Sequence, residues 1–226
     1  MTTLAVQAYG PADVAYDPAT HTSRLPDGRN VPHVTTVLKA VGLSQDFIAL
    51  SDMTPRIAEF VRMGGLRGTA VHADCHAYDD NDLDWDRVDE RVRPFVEAWA
   101  QFREDKGLVP LVRERHVYHR HLVYTGIKDG LFSTARLRRV LVDLKCGDPE
   151  AAAAHLQTAA YEDAWHDMHP DQPIDERWAV QLIPGRRVPY RVSNYSIGED
   201  RWLDAGKFQA ALTVYNEQPG RRRRRT

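Results

Sequence analysis

Val140-Leu141-Val142-Asp143-Leu144-Lys145-Cys146 is the stretch on which the reading turns. It is strand-length and rich in branched aliphatic residues, so it reads as a β-strand. Side chains alternate along a strand, which puts Val140, Val142, Leu144 and Cys146 on one face and Asp143 with Lys145 on the other. A carboxylate and an ammonium are thus carried together at the end of an otherwise apolar strand. Burying such a pair is costly, and that marks the D-x-K as a candidate active site. On its own the pattern is also a common accident.

Around it, residues 113–119, 122–132 and 138–146 read as three neighbouring, largely antiparallel strands. Asp148-Pro149 then reads as an N-cap followed by proline at the first helical position of an alanine-rich helix to about residue 168. Residues 178–195 suggest a hairpin around Pro184-Gly185, and 200–217 a closing helix with Phe208, Leu212 and Tyr215 inward. Upstream, residues 13–31 read as a short hairpin with turns at Asp17-Pro18 and Pro26-Asp27-Gly28. Val34-Thr35-Thr36-Val37-Leu38 opens a helix with a hydroxyl cap, and a second helix spans about residues 55–76. Trp85, Val88, Val92, Phe95, Trp99 and Phe102 form one helical apolar stripe that Pro94 must kink or split.

The 226 residues, 42% of them hydrophobic, suffice for one sizeable core. The formal net charge is −2, and the run Arg221, Arg222, Arg223, Arg224, Arg225 leaves the rest of the chain at −7, so contact with a polyanion must come from local patches. Two isolated cysteines, Cys75 and Cys146, exclude a disulfide framework, a zinc ribbon and a four-cysteine iron–sulfur cluster. The absence of a G-x-x-x-x-G-K-[ST] motif argues against ATP use. With neither a signal-like start nor a long apolar run, a soluble cytoplasmic protein without membrane contact is expected.

Further polar positions accumulate in order. Gly68-x-x-x-His72 lies on the second helix, and Gly126-x-x-Asp129 on a glycine-flanked strand where backbone could approach a ligand. Gln157 and Tyr161 sit four apart on one face of the alanine-rich helix. Two carboxylates on adjacent strands can hold Mg²⁺, although Asp129 taken alone reads better as the start of a turn before Gly130. Two histidine groups could instead suggest zinc. In the first, His72, Asp74 and His76 form H-x-D-x-H, but only the two histidines share a helix face and Asp74 points away. In the second, His116, His119 and His121 span a strand and its turn, where exposure or DNA contact is the simpler reading.

Taken together, G-x-x-x-H, G-x-x-D, D-x-K and Q-x-x-x-Y resemble the PD-(D/E)XK nuclease superfamily. More narrowly they resemble its exonuclease branch, which includes the nuclease domains of bacterial recombinational repair helicase–nucleases, a mitochondrial genome-maintenance exonuclease and small phage-encoded exonucleases. Val31-Pro32-His33-Val34-Thr35-Thr36-Val37-Leu38 is similar to the P-S-V-T-x-[IVL]-L segment of those proteins, with His33 in place of serine. The likeness extends over residues 13–217, and Asp143 stands where many relatives have glutamate.

The resemblance implies an α/β fold, a restriction-endonuclease-like core whose central mixed sheet of about five strands is flanked by helices. It implies one nuclease domain over residues 1–217 (hairpin and first helix 1–43, helical region 44–107, catalytic core 108–217), while the arginine run itself makes 218–226 a basic tail expected to be disordered. Asp129 and Asp143 would bind Mg²⁺ or Mn²⁺ with His72 and the carbonyl of Leu144. Lys145 would position the attacking water, while Gln157 and Tyr161 would orient the site and the DNA. Glu114 matches a frequent family glutamate, although a surface acid paired with an arginine reads as well. The implied activity is hydrolysis of DNA from an end, in phage or bacterial recombination, repair or replication. DNA ends are the implied partner, with a single-strand annealing protein or another recombination factor beside them, and Arg221 to Arg225 are candidate DNA contacts. A structure-specific or restriction-type endonuclease, and a non-catalytic DNA-binding module on the same scaffold, remain as alternatives.

Overall fold

A computed structural model describes residues 11–17, 22–44, 55–136 and 138–218. Eight strands and five helices are described: β1 Ala15–Asp17, β2 Thr22–Arg24, β3 Asn30–Val31, α1 Val34–Ala40, α2 Pro55–Asp79, α3 Arg93–Lys106, β4 Val109–His119, β5 Tyr124–Ser133, β6 Arg139–Lys145, α4 Ala154–Met168, β7 Glu176–Leu182, β8 Tyr190–Asn194 and α5 Asp200–Glu217. The central sheet has the order β4-β5-β6-β7-β8. It is antiparallel except for β6 beside β7, which run parallel in the register Val140↔Glu176 to Lys145↔Gln181. A parallel pair needs a long crossover, and α4 supplies it. This is the mixed, helix-flanked sheet of a restriction-endonuclease-like architecture.

Alternation along β6 separates two cores. Val140, Val142 and Leu144 pack with Val71 and Cys75 of α2 and with Val96, Trp99 and Phe102 of α3. Leu141 faces the opposite cluster, with Val34, Val37 and Leu38 of α1, Leu156, Ala160, Tyr161 and Trp165 of α4, and Phe208 and Leu212 of α5. Helix α4 is buried around most of its circumference, which explains its alanines: small side chains let a helix fit between the sheet and other helices. A small antiparallel sheet, β1-β2-β3, rests Leu25 and Val31 on Tyr118. Its turn bonds Gly28 N–H to the Leu25 carbonyl, with Gly28 at φ +83°, a value glycine adopts without strain.

Several boundaries differ from expectation. The cap of α1 is His33, which makes no side-chain cap bond; its Nε2 lies 2.8 Å from Ser23 Oγ instead. The aromatic stripe is split: Trp85–Arg87 forms a separate 3-10 turn and α3 begins at Arg93, with Pro94 in the first turn where a missing N–H costs nothing. Strand β4 starts at Val109, and its register shift between Pro110 and Val112 accommodates a proline on an edge strand. The start of α4 is displaced furthest. Asp148 Oδ1 accepts the Glu150 N–H at 3.0 Å, the Pro149 carbonyl accepts the Ala154 N–H, and Ala153 takes a left-handed conformation at φ +51°. Asp148 thus closes a turn, and the helix opens only at Ala154. The expected Asp17-Pro18 turn lies partly outside the described residues.

Candidate metal-dependent active site

The site forms where β5 and β6 part. Their ladder ends at Gly130↔Val142, and one further step would set Asp129 opposite Asp143. In a continued antiparallel ladder the Leu144 N–H would meet the Lys128 carbonyl. It donates instead to Asp129 Oδ2 at 2.7 Å, so a carboxylate replaces the backbone partner. The N–H and C=O of one strand residue point the same way, which turns the Leu144 carbonyl toward this gap as well.

A break in side-chain alternation along β5 aims Asp129. In a regular strand Lys128 would share a face with Phe132, but its ammonium lies 5.2 Å over the Trp165 ring, on the side of Leu131. Asp129 is left facing α2. There Oδ1 lies 3.2 Å from His72 Nδ1. Helix α2 buries Val71, Cys75 and Asp79, at four-residue steps, and this stripe fixes its rotation. His72 and His76, each one position further on, are therefore turned together toward the end of the sheet.

Across the gap, Lys145 Nζ lies 2.8 Å from Asp143 Oδ2 and donates to Gln157 Oε1 at 3.1 Å. Lysine only donates, so the amide oxygen must face it, and Gln157 Nε2 is left to donate to Tyr161 Oη at 2.9 Å. The Tyr161 ring lies against Gly126, where an added Cβ would fall 2.3 Å from Cε1. The glycine of G-x-x-D thus makes room for the tyrosine of Q-x-x-x-Y. Gly126→Ala should destabilise the fold by about 1–3 kcal/mol through overpacking against the tyrosine. Urea unfolding checks this; wild-type stability would contradict the packing.

The charges sort the two acids. Burial disfavours ionisation of Asp129, but His72, Lys145 and the Leu144 N–H outweigh it and hold the carboxyl down at about 2. Burial dominates at Asp143, only 2% exposed, and pushes it up to about 6 against the pull of Lys145, with Asp129 adding repulsion. Burial opposes the charged forms of His72 and Lys145, yet Asp129 raises the former and Asp143 with Asp129 the latter. In metal-free protein Asp143 thus holds a proton more tightly than the unfolded chain does, whose carboxyl sits near 3.8. That stabilisation is complete below about 3.8 and is lost as pH rises through about 6. Asp143→Asn has no such proton to lose, so in chelator its melting temperature should gain on the wild type between about pH 4 and about pH 7. A pH-independent difference would mean that Asp143 titrates normally.

Two bonded sets thus meet the gap, His72 with Asp129 and the Leu144 N–H on one side and Asp143 with Lys145, Gln157 and Tyr161 on the other. Glu114 is bracketed by the pairs Arg113↔Gly130 and Arg115↔Lys128, which sets its backbone beside Asp129; its side chain lies outside the described residues, as do Arg221 to Arg225. Among the described residues, His72, His76 and Asp129 can each offer one ligand atom with all three atoms within 4.8 Å of one another. His76 was legible only within the zinc-like pattern, through its four-residue spacing from His72; Asp74 does not join the group. The histidines of the second group lie elsewhere: the His116 ring packs tilted against Tyr16 at 4.9 Å, and His119 and His121 lie 3.6 Å from Asp163 and Asp167. No protein-family model matches the chain, and no curated protein matches it. Among the described residues no helix is long and apolar enough to cross a membrane.

Proposed function

We propose that the protein is a metal-dependent DNA nuclease that hydrolyses phosphodiester bonds from a DNA end, with residues 1–217 acting as one nuclease domain. The observation that carries this reading is the pairing of His72 with Asp129 at the gap between β5 and β6, with the Asp143–Lys145 pair on the adjoining strand. Two carboxylates and an imidazole fit Mg²⁺ or Mn²⁺, for which oxygen donors and a few open positions are suitable. Asp129, Asp143, His72 and the Leu144 carbonyl would hold the ion. When bound, it supplies charge neutralisation and a more acidic water.

The residues of the chain divide the remaining work. In the reaction water adds to phosphorus, the bond to one ester oxygen breaks, and the products are a terminal phosphate and a hydroxyl. Lys145, kept charged by Asp143 and Asp129, donates hydrogen bonds to the charge that gathers on the phosphoryl oxygens. Gln157 holds the ammonium in place, and Tyr161 fixes which way the amide points. Glu114 assists from the strand beside Asp129, and the arginines at 221–225 contribute sequence-independent phosphate contacts.

The Q-x-x-x-Y pairing at Gln157 and Tyr161 supports the exonuclease reading over an endonuclease, and intact Asp129, Asp143 and Lys145 support catalysis over binding alone. An end-labelled linear duplex incubated beside a closed circle with Mn²⁺ separates the three. The expected result is loss of the linear substrate with the circle intact. Cleavage of the circle would make the protein an endonuclease, and retention of both with DNA bound would leave a binding module.

A further inference from the structure

We propose that His76 is a further metal ligand, so that the ion is held through two imidazoles and the site selects Mn²⁺ over Mg²⁺. This rests on the metal-dependent reading above and adds a residue that the G-x-x-x-H pattern, which ends at His72, does not include.

The geometry begins with the helix. Four residues make slightly more than one turn of α2, so His76 stands directly above His72 on one face. Their ring centroids lie 6.2 Å apart, edge to face. The buried stripe Val71, Cys75 and Asp79 leaves the helix no freedom to rotate that face away. Two donors on one six-coordinate ion sit roughly 3–4 Å apart, given metal–donor distances of about 2.1 Å. The ligand atoms of His72, His76 and Asp129 all fall within 4.8 Å of one another, so modest side-chain rotations bring them onto one ion. Asp129 is already oriented by the Leu144 N–H, which leaves the imidazoles as the groups that adjust.

Donor chemistry supplies the selectivity. Mg²⁺ is small and hard, prefers oxygen, and gives up its waters reluctantly. A first imidazole is tolerated, but a second replaces another oxygen donor, and this favours a transition ion that accepts nitrogen. Of the two ions Mn²⁺ is the softer and takes imidazole more readily than Mg²⁺, while keeping the six-coordinate geometry that leaves positions open for phosphate and water. A purely structural histidine, engaged with its own helix and with the nearby Asp79 charge, would affect folding rather than metal preference.

The test uses the full chain freed of metal by chelator, with Mn²⁺ binding followed by electron paramagnetic resonance and Mg²⁺ measured by competition. His76→Ala and His76→Gln, the second keeping bulk and polarity, are compared with the wild type and with Asp129→Asn. The expected result is a loss of Mn²⁺ affinity of about tenfold or more in both His76 variants, with Mg²⁺ affinity changed by less than about twofold. Their metal-free melting temperatures should stay near that of the wild type. Unchanged Mn²⁺ affinity in both variants, or equal losses for the two ions, would overturn the proposal. If Asp129→Asn abolishes Mn²⁺ binding while the His76 variants do not weaken it, this inference fails and the nuclease reading survives. If the wild type binds neither ion, both fail.

Discussion

Replacing Lys145 with alanine is expected to lower the rate of DNA cleavage by about 10²–10³-fold or more, because the proposed reaction uses its ammonium to meet charge developing on the phosphoryl group. The fold should survive. Lys145 ends β6, and its contacts are with Asp143 and Gln157 rather than with either apolar cluster. Asp143 would lose the positive charge that opposes the effect of burial, so its carboxyl would rise further and metal would have to displace a more tightly held proton. The loss should therefore persist under single turnover at saturating DNA and be partly relieved at higher pH or higher metal concentration. Near wild-type turnover in Lys145→Ala would remove this residue from the chemistry.

The second large effect lies away from the site. Arg177→Leu should destabilise the protein by about 3–5 kcal/mol, the usual cost of leaving buried carboxylates without their partner. Arg177 on β7 is wholly buried, with Nε 2.9 Å from Glu162 Oε2 and one terminal nitrogen 3.5 Å from Asp204 Oδ2. It also donates to the carbonyls of His155 and Tyr195, both at 2.9 Å. One guanidinium thus ties β7 to the loop that follows β8 and to α4 and α5. Arg201 also pairs with Glu162, but it does not replace these backbone bonds. Lysine at 177 keeps the charge and loses the planar fork, so Arg177→Lys should recover only part of the stability. Urea unfolding of the three proteins checks both expectations, and a change under about 1 kcal/mol for Arg177→Leu would contradict the account of this network. Because α4 carries Gln157 and Tyr161, the same variant should lose cleavage at a lower temperature than the wild type.

Parts of this structure were open to reading from residues alone. The two-residue alternation of Val140 to Lys145 placed the sheet's centre, since a strand buried on both faces leaves few positions for a charge. The spacing from Gln157 to Tyr161 put both side chains on one helix face whether that helix began at 148 or at 154. The helix start itself was obscured because Asp148 and Pro149 suit a turn as well as a cap, and nothing in the alanine run marks Ala153 as left-handed. The broken alternation of β5 has no local sign either, since it arises from what Lys128 and Asp129 meet on opposite sides of the sheet. Arg177 sits between Glu162 and Asp204, which belong to two other elements, and neither its strand nor its neighbours Glu176 and Trp178 announce burial. His76 carried its signal in the spacing from His72, but its relation to Asp129 depends on how α2 lies against the splayed strands.

In the proposed function Asp129, Asp143 and Lys145 hydrolyse DNA with a divalent ion held between β5 and β6. Its most direct test is to follow an end-labelled linear duplex with purified wild-type protein and with Asp143→Asn, in Mn²⁺ and then in excess chelator. Calcium, which accepts the same acids at longer and looser distances, serves as a binding control. Hydrolysis is expected for the wild type in Mn²⁺, none in chelator or Ca²⁺, and none for Asp143→Asn although it still binds DNA. Hydrolysis that continues in excess chelator, or equally in the Asp143→Asn protein, would contradict it.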